Sequence, residues 1–482
     1  MNSQRLKSKT ISGVSALVMR NILVQPVSFI GFALLSIFLQ ANEIGIFWAV
    51  SEIIGFLGYF SDVGLAAAII QKKGKATIDE LRTIFTIQQI LVILAILVAL
   101  LLTPIFKSRF GSESGKILYW VLLLGFFTSS LKTIPSVILE KKLKFNLLAI
   151  VDLIEQIIFT AIAVFLAWRG FGITSWTWAV LARSIVGLII IYYFSPWSIG
   201  LNFSFRKIKH LLSFGVYFQA NSFLAMLKDR LMNIFLWGIL GNTGIGLLGW
   251  AQKWSQMPLR FLMDSVMKVT FPAFSKLQDE KERLKYALER SGFLLNFSIF
   301  PILAGMALIM PKVVEIFPQY QKWAPAIPAL IFYIGNTAFA SVTSPLVNAF
   351  NSVGKIKLSL KLMIMWTAAS WLIIPLLSIW KGVYGASLGH FIVSATSIVA
   401  WIVAKKEFNL NLKRIIFVPF IASAIMLLIL KVIDNFSGQT SLLEIIILIF
   451  SGGLTYFALS LILAKDEIVW FWQSFKQWKS RS

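Results

Sequence analysis

The residues able to do chemistry in this chain are charged groups set within long apolar runs, where an unpaired charge is costly. Lys253, Gln256, Met257, Arg260 and Asp264 fall within about 100° of one another at ~100° per residue on a helix, and Lys268 extends the stripe. Pro258 sits in the middle of it, and a kink is expected there. Arg260 and Asp264 are spaced to pair at i,i+4. Two readings fit: a structural ion pair between helices, or a water-filled cavity whose surplus cations attract an anion.

Three more segments carry the same signature. Glu52, Gly55, Gly58, Tyr59 and Asp62 share one face. Its small residues suit close helix packing, and its carboxylates either pair with cations on neighbouring helices or carry H⁺ or Na⁺. In the stretch FLAMLKDRLMNIFLW, helical angles put Asp229 and Arg230 with Gln219, Ser222 and Asn233 on a polar face. Lys228 stands apart with Asn221 at its margin, so Lys228 is expected to tolerate Gln. Arg20 has Asn21, Gln25 and Ser28 on an adjacent polar stripe. Lys132, Arg183 and Lys361, nearer segment ends, are expected to snorkel. Asp152 and Glu155 are expected to meet basic loops, and His390 to stand alone.

These charges must be positioned by membrane helices. The 482 residues are 58% hydrophobic and 14% charged, with a mean hydropathy of +0.80, against roughly 25% charged in soluble proteins. Apolar runs long enough for a ~30 Å bilayer core recur from end to end. The expectation is an all-α polytopic membrane protein of about 14 transmembrane helices. The net charge of +24 is topological, because Lys and Arg concentrate in alternate loops. That bias places both termini in the cytoplasm and removes the need for a nucleic-acid partner. Arg5, Lys7 and Lys9 precede an apolar run too long for a removable signal. With no cysteine and two histidines, thiolate and histidine-rich metal sites are excluded. No Walker A loop, nucleophile motif or large external loop is present, which argues against ATP hydrolysis and against a polymerase.

Trp48-Ala49 precedes Asp62 by the same distance as Trp250-Ala251 precedes Asp264, and both segments follow short glycine-containing turns. The repeat predicts two parallel, pseudo-symmetric six-helix lobes, 1–194 and 211–404, joined by a cytoplasmic connector, 195–210. Two further helices (405–464) and a cytoplasmic amphipathic tail (465–482) follow. The segment 275–291 is expected to open with a capping box (Ser275, Gln278) and to pair Asp279 with Arg283.

Four stretches carry a family likeness: GIFWAVSEIIGFLGYFSDVGLAAAIIQ (45–71), ILEKKLKFNLLAIVDL (138–153), TFPAFSKLQDEKERL (270–284) and KWAPAIPALIFYIGNTAFASVTSPLVNAFNSVGK (322–355). They resemble polysaccharide flippases of the multidrug/oligosaccharidyl-lipid/polysaccharide (MOP) export superfamily. The resemblance implies a cationic central cavity lined by spans 1, 2, 7 and 8. It implies that a polyprenyl-diphosphate-linked oligosaccharide crosses from the inner to the outer leaflet of the cytoplasmic membrane by alternating access. Arg20, Arg230, Lys253 and Arg260 would then attract the diphosphate, with Gln256 and Tyr59 among the groups for sugar hydroxyls. Glu52, Asp62, Asp229 and Asp264 would set cation geometry or carry a coupling H⁺ or Na⁺. No other cofactor is implied; glycan polymerase and glycosyltransferases of the same pathway are the implied partners. A cation-coupled small-molecule exporter of the same superfamily is the alternative, although a cationic lining disfavours cationic drugs. The chain departs from the family in having Lys141, Lys142 and Lys144 where Arg is frequent, and in a longer spacing from Asp229 to Gly241.

Overall fold

A computed structural model describes residues 3–61, 69, 77–202, 223–437, 441–465 and 467, with side chains from Met19 onward except those of Ser265 and Ser437. Every regular element among them is helical. In order, these are α1 Ser3–Phe38, α2 Ala41–Ser61, α3 Ile78–Phe106, α4 Glu113–Leu131, α5 Thr133–Lys141, α6 Phe145–Trp168 and α7 Thr174–Phe194. A π-type turn, Leu227–Leu231, leads into α8, Met232–Lys276. Then come α9 Lys281–Ile316, α10 Ile327–Ser352, α11 Ile356–Ala395, α12 Ile398–Phe408, α13 Val418–Ser437 and α14 Leu442–Leu463. Asp62, Gln219, Asn221, Ser222 and the tail beyond 467 lie outside the described residues.

Twelve helical stretches among the described residues are long and apolar enough to cross a membrane. Two of these, Phe223–Asp264 and Ile356–Phe408, have 42 and 53 residues. At ~1.5 Å per residue each is about two bilayer cores long. Each is broken by a glycine with positive φ, Gly241 (66°) and Gly382 (57°), which only a residue without Cβ adopts at little cost. Two crossings in each would bring the described total close to the expected count of about 14. The backbone of α8 stays helical through Pro258, and its break is at Gly241.

Contacts divide the chain into two compact units, Met1–Trp250 with Met363–Ala386, and Ala251–Leu362 with Ser387–Ser482. In the first unit α6 packs between α1 and α7, and α2 packs on α3 and α4. Leu81, Ile84, Phe85, Ile134 and Val137 form one of its apolar cores. The two glycine turns behind the sequence repeat meet there. A Cβ on Gly45 would lie 1.8 Å from the Asn242 carbonyl oxygen, and one on Gly246 would lie 1.9 Å from that of Ala41. The contact is reciprocal, each glycine lying against the backbone of the other helix.

In the second unit α9 packs against α10, α13 and α14. Ala422, Met426, Leu430, Leu448 and Tyr456 form its core, and Tyr456 donates to the Phe297 carbonyl at 2.8 Å. Lys312 of α9 holds Asp434 of α13 and, at 3.0 Å, Glu444 of α14. The connector differs from expectation. Glu280 precedes α9 without a side-chain cap, and Arg283 pairs with Glu280 at 2.7 Å instead of Asp279. The charged helix runs directly into a membrane segment, so α9 is one helix of 36 residues.

Candidate functional site

The LKDR stretch is the π-type turn. A π turn breaks the i→i−4 ladder and re-aims the side chains around it. Its exposed backbone is partly satisfied from α11, where the Trp371 indole N–H donates to the Leu227 carbonyl at 3.2 Å. From this turn Arg230 donates to Glu52 Oε2 of α2 at 3.2 Å, and Asn233 donates to Glu52 Oε1, also at 3.2 Å. Gly55 makes the approach possible: a Cβ there would fall 1.7 Å from Arg230 Nη1. The Glu52 side chain is 16% exposed and that of Arg230 is 46% exposed, so the carboxylate is fixed while the guanidinium keeps an open side.

The neighbours of this pair divide differently from the helical-angle reading. Asp229 is exposed, and the Lys228 ammonium closes on it in an ion pair. Lys228 therefore does not stand apart, because in a π turn the 100° step no longer separates adjacent residues as in an α-helix. Tyr59 lies beside Phe223, with ring centroids 5.8 Å apart.

In the second unit Lys253, Gln256, Arg260 and Asp264 lie on the part of α8 that follows its break at Gly241. Arg260 is exposed and donates to Gln256 Oε1 at 3.0 Å, one turn back, rather than pairing forward with Asp264. Arg260 is thus bound by a neutral amide and not by the carboxylate expected to pair with it.

Arg20 of α1 pairs with Asp152 of α6 at 2.6 Å. One turn further along α6, Glu155 is 5% exposed and accepts from Lys132 at 2.7 Å and Arg183 at 3.3 Å. It is seated on Gly187 of α7, where a Cβ would lie 1.9 Å from Glu155 Oε1. The expectations for these residues are corrected. Lys132 and Arg183 do not snorkel, and Asp152 and Glu155 do not meet basic loops. Each charge instead finds its partner on another helix, because inside a bundle a charge is held by the nearest opposite charge. The signal available in sequence was the presence of two carboxylates and three cations within apolar runs; which helices adjoin is not written there. His390 is also not alone, since its ring nitrogen lies 3.4 Å from the Tyr333 hydroxyl.

Residues 34–328 match the family described as polysaccharide biosynthesis protein. The chain belongs to that family. Similar members include the lipopolysaccharide biosynthesis protein WzxC of Escherichia coli, 24% identical over 80% of this chain and 79% of its own. The succinoglycan biosynthesis transport protein ExoT of Rhizobium meliloti is 22% identical over 90% and 89%. Among solved structures, the lipid II flippase MurJ in an inward closed conformation superposes with a TM-score of 0.75 at 16% identity, covering 95% of this chain and all of that one. A multidrug resistance MATE transporter of the MOP superfamily gives 0.60 at 18% identity. This member of the polysaccharide biosynthesis family thus has the fold of the MOP-superfamily structures and is a multi-pass membrane protein, as the resemblance implied.

Proposed function

We propose that the chain moves a polyprenyl-diphosphate-linked oligosaccharide from the inner to the outer leaflet of the cytoplasmic membrane by alternating access, with both termini cytoplasmic. The observation that carries this reading is the pairing pattern of the cations. Arg230 is held by Glu52 yet keeps an open side, and Arg260 is bound only by the neutral Gln256 among the described residues. Guanidinium and ammonium groups are the protein's phosphate binders, and Arg presents its donors as a planar fork. In this reading Arg20 and Lys253 are further cations available to the diphosphate. Gln256 and Tyr59 meet sugar hydroxyls. Glu52, Asp229, Asp264 and Asp62 set the geometry of the cations or carry a coupling H⁺ or Na⁺. WzxC and ExoT, named for lipopolysaccharide biosynthesis and succinoglycan transport, support a glycan cargo. Glycosyltransferases would supply that cargo and a glycan polymerase would consume it.

The test is export rescue in a strain lacking the gene. Lys253→Ala with Arg260→Ala is expected to abolish glycan export while the protein still reaches the membrane. Wild-type export by the double variant would overturn the phosphate role.

A further inference from the structure

The first unit contains a cavity of about 550 Å³ lined from α2, α3, α4, α6 and α7, within the roughly 300–1,000 Å³ typical of small-molecule sites. None of the ten residues assigned above to cargo or coupling is part of its lining. Its charged lining residues are Lys132, Glu155 and Arg183, which together leave one positive charge.

Arg183 is built for a ligand. Its Nε is fixed on Glu155 and its guanidinium carbon lies 5.7 Å from the centre of the Phe159 ring. Lys132 holds the other oxygen of Glu155, so the carboxylate cannot turn to take the rest of the guanidinium. The two terminal amino groups of Arg183 carry no partner among the described residues, and its side chain is 44% exposed. A guanidinium held by one edge presents the other as a planar pair of donors, the geometry that matches a carboxylate. Ser129, Ser184 and Gln88 add polar groups to the wall, and the buried Gln88 Oε1 has no partner among the described residues. Phe47 and Phe126 supply apolar faces for a sugar ring.

We propose that this cavity binds a carboxylate-bearing sugar of the transported glycan, with Arg183 pairing its carboxylate. The proposal rests on the glycan-flippase reading and specifies a class of sugar within it. A single net positive charge and one free guanidinium edge match one carboxylate better than a multiply charged diphosphate. The apolar faces in the same cavity have no use for a bare phosphate.

The test is binding of a radiolabelled glucuronyl disaccharide to the purified full chain in nanodiscs, with the matched glucosyl disaccharide and inorganic pyrophosphate as competitors. The glucuronyl probe is expected to bind about tenfold tighter than the glucosyl one, the worth of one charge-assisted hydrogen-bonded pair. Arg183→Gln removes that preference, and Arg183→Lys keeps part of it. Gly58→Leu fills the cavity from α2, leaves Lys132, Glu155 and Arg183 in place, and abolishes binding of both sugars; it decides the matter if Arg183→Gln does not fold. Equal affinity for the two sugars, a preference that survives Arg183→Gln, or displacement by pyrophosphate would each overturn the proposal. The probe has neither lipid nor diphosphate, so a negative result leaves the export test of Lys253 and Arg260 as an independent measure of the flippase reading.

Discussion

Arg230 and Glu155 show how the same kind of charge serves two ends. Glu155 is buried between two cations, and removing it leaves both without their partner. Breaking a buried pair in this way costs about 3–5 kcal/mol, so Glu155→Ala is expected to lower the thermal unfolding temperature of the purified protein clearly, and Glu155→Gln to do so less. Arg230 is half open, and its replacement should act on transport. Arg230→Gln is expected to reduce glycan export at least tenfold, with little change in the amount of protein in the membrane. Combining it with Glu52→Gln should give less than the sum of the separate effects, because the two side chains share one contact. Lys228→Gln removes only an exposed pair with Asp229, worth about 0–1 kcal/mol, and should leave export near wild type.

At the scale of elements, the π-type turn and the glycine seats decide what these residues can reach. Trp371→Phe keeps the ring that packs on Phe235 but loses the N–H that satisfies the Leu227 carbonyl. Export is expected to fall while membrane insertion persists, and Trp371→Ala should also lose protein. The Gly45–Gly246 contact brings backbone against backbone, where no flexible side chain can yield. Gly246→Val is therefore expected to lower the yield of folded protein severely, as read by size-exclusion chromatography in detergent, whereas Gly305→Ala, which meets open space, should be tolerated.

For the whole molecule, the absence of cysteine makes topology directly measurable. Ser108 and Ser198 are both exposed. Charge bias puts the first outside and the second in the cytoplasm. Ser108→Cys should react with a membrane-impermeant maleimide in intact cells, and Ser198→Cys only after permeabilisation. The reverse pattern would invert the direction of transport proposed above.

The amino-acid sequence alone determined the solvent and the fold class, because hydropathy and length are local properties that a bilayer reads segment by segment. It also marked the Arg260 stripe as one face, since that follows from spacing along a single helix. Tertiary structure decided every pairing. Glu52 with Arg230, Arg20 with Asp152, and Glu155 with Lys132 and Arg183 join residues whose separation along the chain says nothing of their separation in space. It also decided the π-type turn at Leu227–Leu231, where angles drawn for a regular α-helix placed Lys228 away from the Asp229 it pairs with. A helical wheel assumes one repeat throughout, and packing against neighbouring helices is what departs from it.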